Sequence, residues 1–582
     1  MTIREASRED EVSKGRKRDA RMNLAALVLL LGMGLIAYRL VDLQVVKADR
    51  FKNLAEEQRY QLTDLNPRRG CILDREGEVL AISKEAYSIY ATPYLVEDAQ
   101  LAAAELSLVL QRPREELEEI LRSDGGFVYI ERKVTPEVAE EIEALEIVGI
   151  GLEKESKRYY PQGALAAQVI GFVGTDNVGL SGLELQYDAD LAGIPGEAGV
   201  EIDPMGDPIP GVTEMITSPV DGSDIQLTID TEIQFKLQER LAAAVEESGA
   251  RSGSGLVMDC CTGEILAMAV IPDFDLNLFY KVPAEIIRTQ PVTDAFEPGS
   301  VLKMLTAMAS LQEQVVAPGS VLNVPGSIQM GEYEFTDDHP MPKSDMTFTE
   351  IIAYSSNIGT IKTAQALGKE ALSAYIGKCG LGQTTGVDFP GENPGMVLDL
   401  EDWTLTSLPT IAIGQGISVT PLQLAVITAA VANGGIKVTP HFLMRKIDIN
   451  NEFEEYETPE GERIISGNAA ASLRYILEEV VRIGTGTRAA MTLYNCAGKT
   501  GTAMKTDPAG GYREAYIATF AGMAPSEDPR LVVVITLDEP GTMYGGVAAA
   551  PCFSQVMEFS LQHLKVTPSV EKVNTEDKVV LK

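Results

Sequence analysis

A serine followed three residues later by a lysine, where a Pro-Gly turn runs into a long apolar segment, has the makings of an acyl-transfer site. The stretch is Phe296-Glu297-Pro298-Gly299-Ser300-Val301-Leu302-Lys303-Met304-Leu305. In an α-helix positions i and i+3 share a face, so Ser300 and Lys303 are expected as neighbours in a first helical turn. A serine hydroxyl is a poor nucleophile until an adjacent base takes its proton, and an amine serves as that base only when unprotonated. Val301, Leu302, Met304, Leu305, Ala307, Met308, Ala309 and Leu311 make the segment apolar almost all round, which predicts a buried helix. Burial disfavours a charged lysine, the direction a base requires. The spacing alone also fits a helix N-cap with an unrelated lysine, and Ser569 to Lys572 repeats it in a polar tail.

Two further clusters supply what Ser300 would need. Tyr354-Ser355-Ser356-Asn357 lies between apolar residues and brings a second hydroxyl and a carboxamide, groups that can relay a proton and hold an amide. Ser466-Gly467-Asn468 has the same form but reads as a helix cap. Gly498-Lys499-Thr500-Gly501-Thr502-Ala503 is the third cluster. In a strand, Lys499 and Gly501 face one way and Thr500 and Thr502 the other, unless the glycine bulges the strand. Lysine and threonine offer a cation and hydroxyls to a carboxylate, and Gly501 would let a substrate backbone approach closely.

These clusters must be positioned by a chain of 582 residues, enough for two to four domains. Its 49 basic against 85 acidic residues give a net charge of -36, which argues against nucleic-acid binding. An anionic substrate would be repelled at long range and would need locally placed cations. Met22 to Tyr38 is a 17-residue run without a charge, and Leu40 to Val46 could extend it. Lys14 to Arg21 carries five basic residues in eight before the run, and no small-residue cleavage site follows it. A single uncleaved anchor with its N-terminus in the cytoplasm and the remainder exported is expected. Arg39 and Asp42 are close enough to pair at its end. Six scattered cysteines are too few for a disulfide scaffold and read as core residues, with Cys260 and Cys261 on opposite faces if they lie in a strand. Three histidines without metal-ligand spacing make a histidine-based metal site or a Ser-His-Asp triad hard to build.

Along the chain, Arg68 to Ala81 reads as strand, Gly turn, strand, and helices are expected over 101–111, 113–122 and 135–145. Gly193 to Gly222 is linker-like or an extended hairpin, and a domain boundary is placed at its end. Ile225 to Ile229 reads as a strand, Asp230 and Thr231 cap a helix to about Glu247, and Gly253 to Val270 reads as a hairpin turning at Thr262-Gly263. Helices and loops fill 300–445, a helix spans 468–482, and strands are expected over 496–504, 515–524 and 531–537. The expected domains are a cytoplasmic tail (1–21), an anchor (22–44), an N-terminal domain (45–222), a catalytic domain (223–565) and a polar tail (566–582).

S-x-x-K, an S-x-N triplet and K-T-G in this order are the signature of class A β-lactamases and penicillin-binding proteins. The chain resembles the class B penicillin-binding proteins, single-span transpeptidases that cross-link peptidoglycan. Arg69-Gly70 to Leu80-Ala81 resembles the family's first N-terminal motif, with Glu76 where asparagine is usual, and Gly182-Leu183-Glu184 with Tyr187-Asp188 resembles another. Gly414-Gln415-Gly416, Thr420 to Ala425, Tyr516 to Pro525, Gly545-Gly546 and Ala549-Ala550-Pro551 extend the likeness over roughly residues 20–565. It implies an α/β fold: a penicillin-binding, serine β-lactamase-like transpeptidase domain with an antiparallel sheet flanked by helices plus a helical subdomain. An elongated α+β pedestal and one transmembrane helix would precede it.

By that resemblance Ser300 attacks the carbonyl between two terminal D-alanines of a stem peptide, Lys303 takes the serine proton, and Ser355 relays a proton to the leaving amine. Asn357 holds the substrate amide, Lys499 sustains a positive field, Thr500 and Thr502 bind the terminal carboxylate, and Gly501 belongs to the substrate-binding strand as the point of close backbone approach. Backbone N–H groups of Ser300 and Thr502 would form an oxyanion hole, a device worth about 3–4 kcal/mol per donor. An amine from a second strand resolves the acyl-enzyme. The implied partners are stem peptides on lipid-linked or nascent glycan strands, β-lactams as covalent inhibitors, the membrane, a membrane glycosyltransferase and the division complex. No cofactor or metal is implied. The branch resembled, through Ser355 to Gly359 and the C-terminal strands, is the division type, with sporulation and elongation roles as alternatives. A D,D-carboxypeptidase differs only in letting water resolve the ester. A β-lactam sensor fits the large N-terminal part less well, and a catalytically silent scaffold has no need of all these residues. The anchor orientation predicts that protease added outside intact cells degrades everything beyond residue 46; protection of the C-terminal bulk would contradict it.

Overall fold

The computed structural model describes residues 3–52, 60–202, 208–507, 510–541 and 544–569, so most of the polar tail lies outside the described residues. The chain divides into two units, residues 1–67 with 194–220, and residues 68–193 with 221–582. In the first unit a helix runs from Ile3 to Val41 and continues as a wider turn over Asp42–Val46. Its stretch Ala20–Val46 is exposed, apolar and long enough to cross a bilayer, which fits a single-pass anchor slightly longer than residues 22–44. Asp42 accepts from Arg39 Nη1 and Lys47 Nζ, both at 2.9 Å, so the charge closing the apolar stretch is paired. Strand Tyr60–Leu65 pairs antiparallel with Gly196–Ile202, which pairs with Pro208–Thr217. The stretch Gly193 to Gly222 is therefore a hairpin rather than a linker.

The second unit is organised around a five-stranded antiparallel sheet. Helix α1 (Thr231–Ser248) leads into β1 (Ser252–Asp259) and β2 (Ile265–Ile271). Asp230 caps α1 by accepting from Glu232 N and Ile233 N. There follow α2 (Lys303–Gln312), α3 (Asn357–Leu367), α4 (Pro421–Ala432) and α5 (Gly467–Arg482). The sheet is completed by β3 (Ala497–Thr506), β4 (Tyr512–Ala524) and β5 (Leu531–Asp538), and α6 (Ala550–His563) follows. Strand order is β2-β1-β5-β4-β3, with β3 on the edge. Both faces are covered, which is why β1 and β5 lack the alternation of a half-exposed strand. Leu256, Met258, Val532 and Val534 pack with α2, α4 and α5, while Val257, Val533 and Ile535 pack with α1 and α6. Cys260 and Cys261 lie in the turn after β1, not in a strand; Cys260 is buried and Cys261 exposed, so core packing fails for that one cysteine.

The break expected between residues 222 and 223 does not part the second unit. Ile72–Leu73 pairs in parallel with Asp224–Leu227, which pairs with Leu443–Ile447, so one seven-stranded sheet carries both sides of it. The two N-terminal motifs, more than a hundred residues apart, meet in its interior. Glu184 is fully buried and accepts from Arg69 Nε at 2.9 Å and Arg158 Nε at 2.6 Å, while Arg69 Nη1 reaches Asp188 at 2.6 Å. Gly70 lies so close to Ser223 O, 2.0 Å from where a Cβ would stand, that no larger residue fits beside this network. A buried charge left unpaired is far costlier than the pair is stabilising. Glu184→Gln leaves the buried Arg158 guanidinium without its carboxylate and Arg69 with Asp188 alone, and is expected to destabilise the unit by roughly 3–5 kcal/mol, read as a lowered denaturation midpoint of the full-length protein.

Candidate active site

Ser300 does not open an α-helix. It sits in a 3-10 turn, Gly299–Leu302, and α2 begins at Lys303. In a 3-10 turn side chains at i and i+3 eclipse, so the alignment of Ser300 with Lys303 survives the change of helix type. The turn is wedged between two elements. Gly299 takes φ +55° and donates its N–H to Gly414 O at 2.9 Å. A Cβ on Gly299 would lie 2.4 Å from Thr502 O, and one on Gly414 1.9 Å from Gly299 O. Phe296 and Val419 exchange backbone hydrogen bonds at 3.0 and 2.9 Å. The Glu297 carboxylate accepts from Gly416 N at 3.0 Å and from Tyr512 OH at 2.9 Å. The Gly414-Gln415-Gly416 motif thus braces the serine turn.

Lys303 is fully buried at the start of α2. Its Nζ donates to Ser355 O at 2.5 Å, Ser355 Oγ at 3.2 Å and Asn357 Oδ1 at 2.7 Å. Lys499, fully buried on β3, donates to the same Ser355 Oγ at 2.9 Å and to Thr500 O at 3.2 Å. One hydroxyl therefore lies between two buried amines. Desolvation pulls the Lys303 pKa down to about 8, opposed by the Asp338 and Asp337 carboxylates. Lys499 is pulled well below the ordinary lysine value by burial and by the neighbouring Lys303. Ser355 holds its place in a left-handed conformation, φ +59°, between helix Phe348–Ala353 and α3. Ser356, its neighbour, serves the scaffold: its Oγ caps Gly359 N at 2.9 Å.

Ser300, Ser355, Asn357, Thr500 and Thr502 line a cleft of about 500 Å³. Alternation along β3 is kept, with no bulge between Ala497 and Met504. Thr500 Oγ1 lies 2.7 Å from Thr485 Oγ1, and Thr502 Oγ1 accepts from Gly545 N at 3.3 Å. Gly501 plays a different part from the one expected. A Cβ there would meet Val301 Cγ2 at 2.5 Å and Pro298 O at 2.9 Å, so its bareness admits the serine turn rather than a substrate backbone. Among the cleft residues that belong to no sequence motif, two carry a fixed charge: Arg488, exposed in a short 3-10 turn, and Asp338, after strand Tyr333–Thr336. Asp338 Oδ1 accepts from Asn357 Nδ2 at 3.3 Å, and Asp337 accepts from Ser356 Oγ and Ile358 N. Only the contact with Asn357, itself in a motif, draws attention to Asp338. The arrangement offers a cleft serine, amines of lowered proton affinity, and threonine hydroxyls and a guanidinium lining the same cleft, which suits acyl transfer on an anionic peptide end.

Comparison with known proteins agrees in extent. The family described as Penicillin binding protein transpeptidase domain matches residues 253–558, and that described as Penicillin-binding Protein dimerisation domain matches residues 64–227. Peptidoglycan D,D-transpeptidase FtsI of Escherichia coli is 33% identical over 570 residues, covering 96% of this chain and 94% of the relative. Stage V sporulation protein D of Bacillus subtilis is 33% identical, covering 94% and 87%. The crystal structure of penicillin binding protein 3 from Mycobacterium tuberculosis superposes with a TM-score of 0.69 at 31% identity, covering 87% of this chain and 98% of that one.

The wedge makes a prediction free of any catalytic assumption. Gly414→Ala places a methyl against Gly299 O at a positive-φ position. It is expected to cost about 1–3 kcal/mol, read by thermal unfolding, and to increase hydrogen exchange at residues 296–303. Unchanged stability and exchange would contradict the wedge.

Proposed function

The chain belongs to the class B penicillin-binding proteins, and we infer that it is a serine D,D-transpeptidase cross-linking peptidoglycan stem peptides in the septal or the spore wall. The observation that carries this reading is the Ser355 hydroxyl lying between the buried Nζ atoms of Lys303 and Lys499, beside the cleft serine. As an ammonium, Lys303 engages all three N–H donors. Deprotonation frees a lone pair one helical turn from Ser300. Neutral Lys303 takes the Ser300 proton as Oγ attacks the carbonyl between the two D-alanines. The C–N bond then breaks, the proton reaches the departing D-alanine nitrogen through Ser355, and the acyl group stays on Ser300. An amine from a second strand attacks this ester and restores the serine.

Asn357 holds the substrate amide, and the N–H groups of Ser300 and Thr502 face the developing oxyanion. The terminal carboxylate is held by Thr500 and Thr502 with Arg488. Lys499, fully buried, serves Ser355 rather than the carboxylate directly. β-lactams acylate the same serine. Residues 45–222 form the pedestal and 223–565 the transpeptidase domain, outside the membrane, with the basic block Lys14 to Arg21 inside. A membrane glycosyltransferase and the division or sporulation complex are the partners. The relatives named for transpeptidation and for sporulation support this reading over a carboxypeptidase or a sensor.

The test is D-alanine release from a D-alanyl-D-alanine donor by the full-length protein. The base form of Lys303 grows as pH climbs through about 8, so the single-turnover rate is expected to rise across that pH and level off above it. Lys303→Arg, which stays protonated, is expected to lower the rate about 10²- to 10⁴-fold. A flat profile, or an active Lys303→Arg, would contradict the role given to Lys303.

A further inference from the structure

The cleft holds two fixed charges of opposite sign. Among the described residues that line it, Asp338 is the one carboxylate and Arg488 the one permanent cation. Asp337, next to Asp338, is tied to the start of α3 by Ser356 Oγ at 3.1 Å and Ile358 N at 3.1 Å. Asp338 is exposed, forms no ion pair among the described residues, and accepts only from Asn357 Nδ2 at 3.3 Å. The other end of that carboxamide accepts from Lys303 Nζ at 2.7 Å. A carboxylate outside any ion pair among the described residues thus lines the cleft one carboxamide away from the buried amines.

The reaction brings in a group that matches it. Resting on the transpeptidase reading, we propose that Asp338 receives the primary ammonium of the acceptor strand. An ammonium nearing Lys303 and Lys499 finds no anion on those side chains, and the Asp338 carboxylate is the one anion among the described residues lining the cleft. The bound ammonium first loses one proton to solvent to become a nucleophile. Its nitrogen then bonds to the acyl carbon, the bond from that carbon to Ser300 Oγ breaks, and the second proton passes to Ser300 Oγ through Lys303 and Ser355. Arg488 and Asp338 give the cleft two poles, one for the donor's carboxylate and one for the acceptor's ammonium.

The test partitions one acyl-enzyme between two nucleophiles. Full-length protein in detergent is acylated by a D-alanyl depsipeptide donor, and aminolysis is measured with D-alaninamide, which carries an ammonium at neutral pH, and with hydroxylamine, which is uncharged there. Asp338→Asn is expected to reduce aminolysis by D-alaninamide about three- to fivefold relative to hydroxylamine, the range of an exposed ion pair. Asp338→Glu restores the preference. In the unmutated protein, raising the salt concentration lowers the same ratio by screening, a readout that needs no variant. An equal loss for both nucleophiles would make Asp338 a support for Asn357 and overturn the assignment, as would an unaltered ratio. Penicillin labelling of the unmutated protein separates the two levels: no labelling overturns the transpeptidase reading, whereas labelling with an unaltered ratio overturns only Asp338.

Discussion

Two lysines buried around one serine hydroxyl form the constraint on which the rest of the site depends. Lys303 and Lys499 are both removed from water, and each raises the cost of a proton on the other. The pocket therefore lowers the proton affinity of both amines toward that of a usable base, without the histidine that many serine enzymes use. Holding the hydroxyl there requires a backbone that Ser355 adopts at a cost, φ +59°, and helix Phe348–Ala353 and α3 enforce it from either side. Lys303 comes from a buried helix and Lys499 from the edge strand, so the pocket exists only when the helical part and the sheet are packed together. The bare positions Gly299, Gly414 and Gly501 serve that packing by letting three backbones meet around the serine turn.

Charge is distributed to the same end. A chain of net charge -36 repels anionic peptides at a distance, so capture of a carboxylate depends on what lies within the cleft. In the proposed mechanism the buried lysines tune proton transfer, and the cleft is lined by Arg488 and threonine hydroxyls. The pedestal uses charge differently. Its arginine–glutamate network is dry and joins two distant motifs into one interior.

What the sequence disclosed and what it withheld follow from the range of the interactions involved. Ser300 and Lys303 were readable because their relation is helical periodicity, which holds for a 3-10 turn as for an α-helix. The strands and most helices were readable because two-sided burial and capping residues such as Asp230 are local signals. Asp338 and Arg488 were not, since each is a lone residue brought to the cleft by a hairpin or short turn whose placement is tertiary. Gly501 shows the same limit: a glycine announces close approach but not of what, and the neighbour the sequence does not name is the serine turn. A parallel pairing, Ile72–Leu73 with Asp224–Leu227, joins the two sides of residue 222, and it was not legible because parallel pairing leaves no hairpin signal. Cys261 differs from Cys260, its neighbour in the same turn, by facing solvent, which the sequence does not signal.

The account rests on Ser300 being the nucleophile. The most direct measurement is peptide mass spectrometry of the full-length protein after incubation with a penicillin. It predicts an increase equal to the mass of the penicillin on the peptide containing Ser300, and its loss in Ser300→Ala. An unmodified Ser300 peptide, or an adduct that persists in Ser300→Ala, would contradict it.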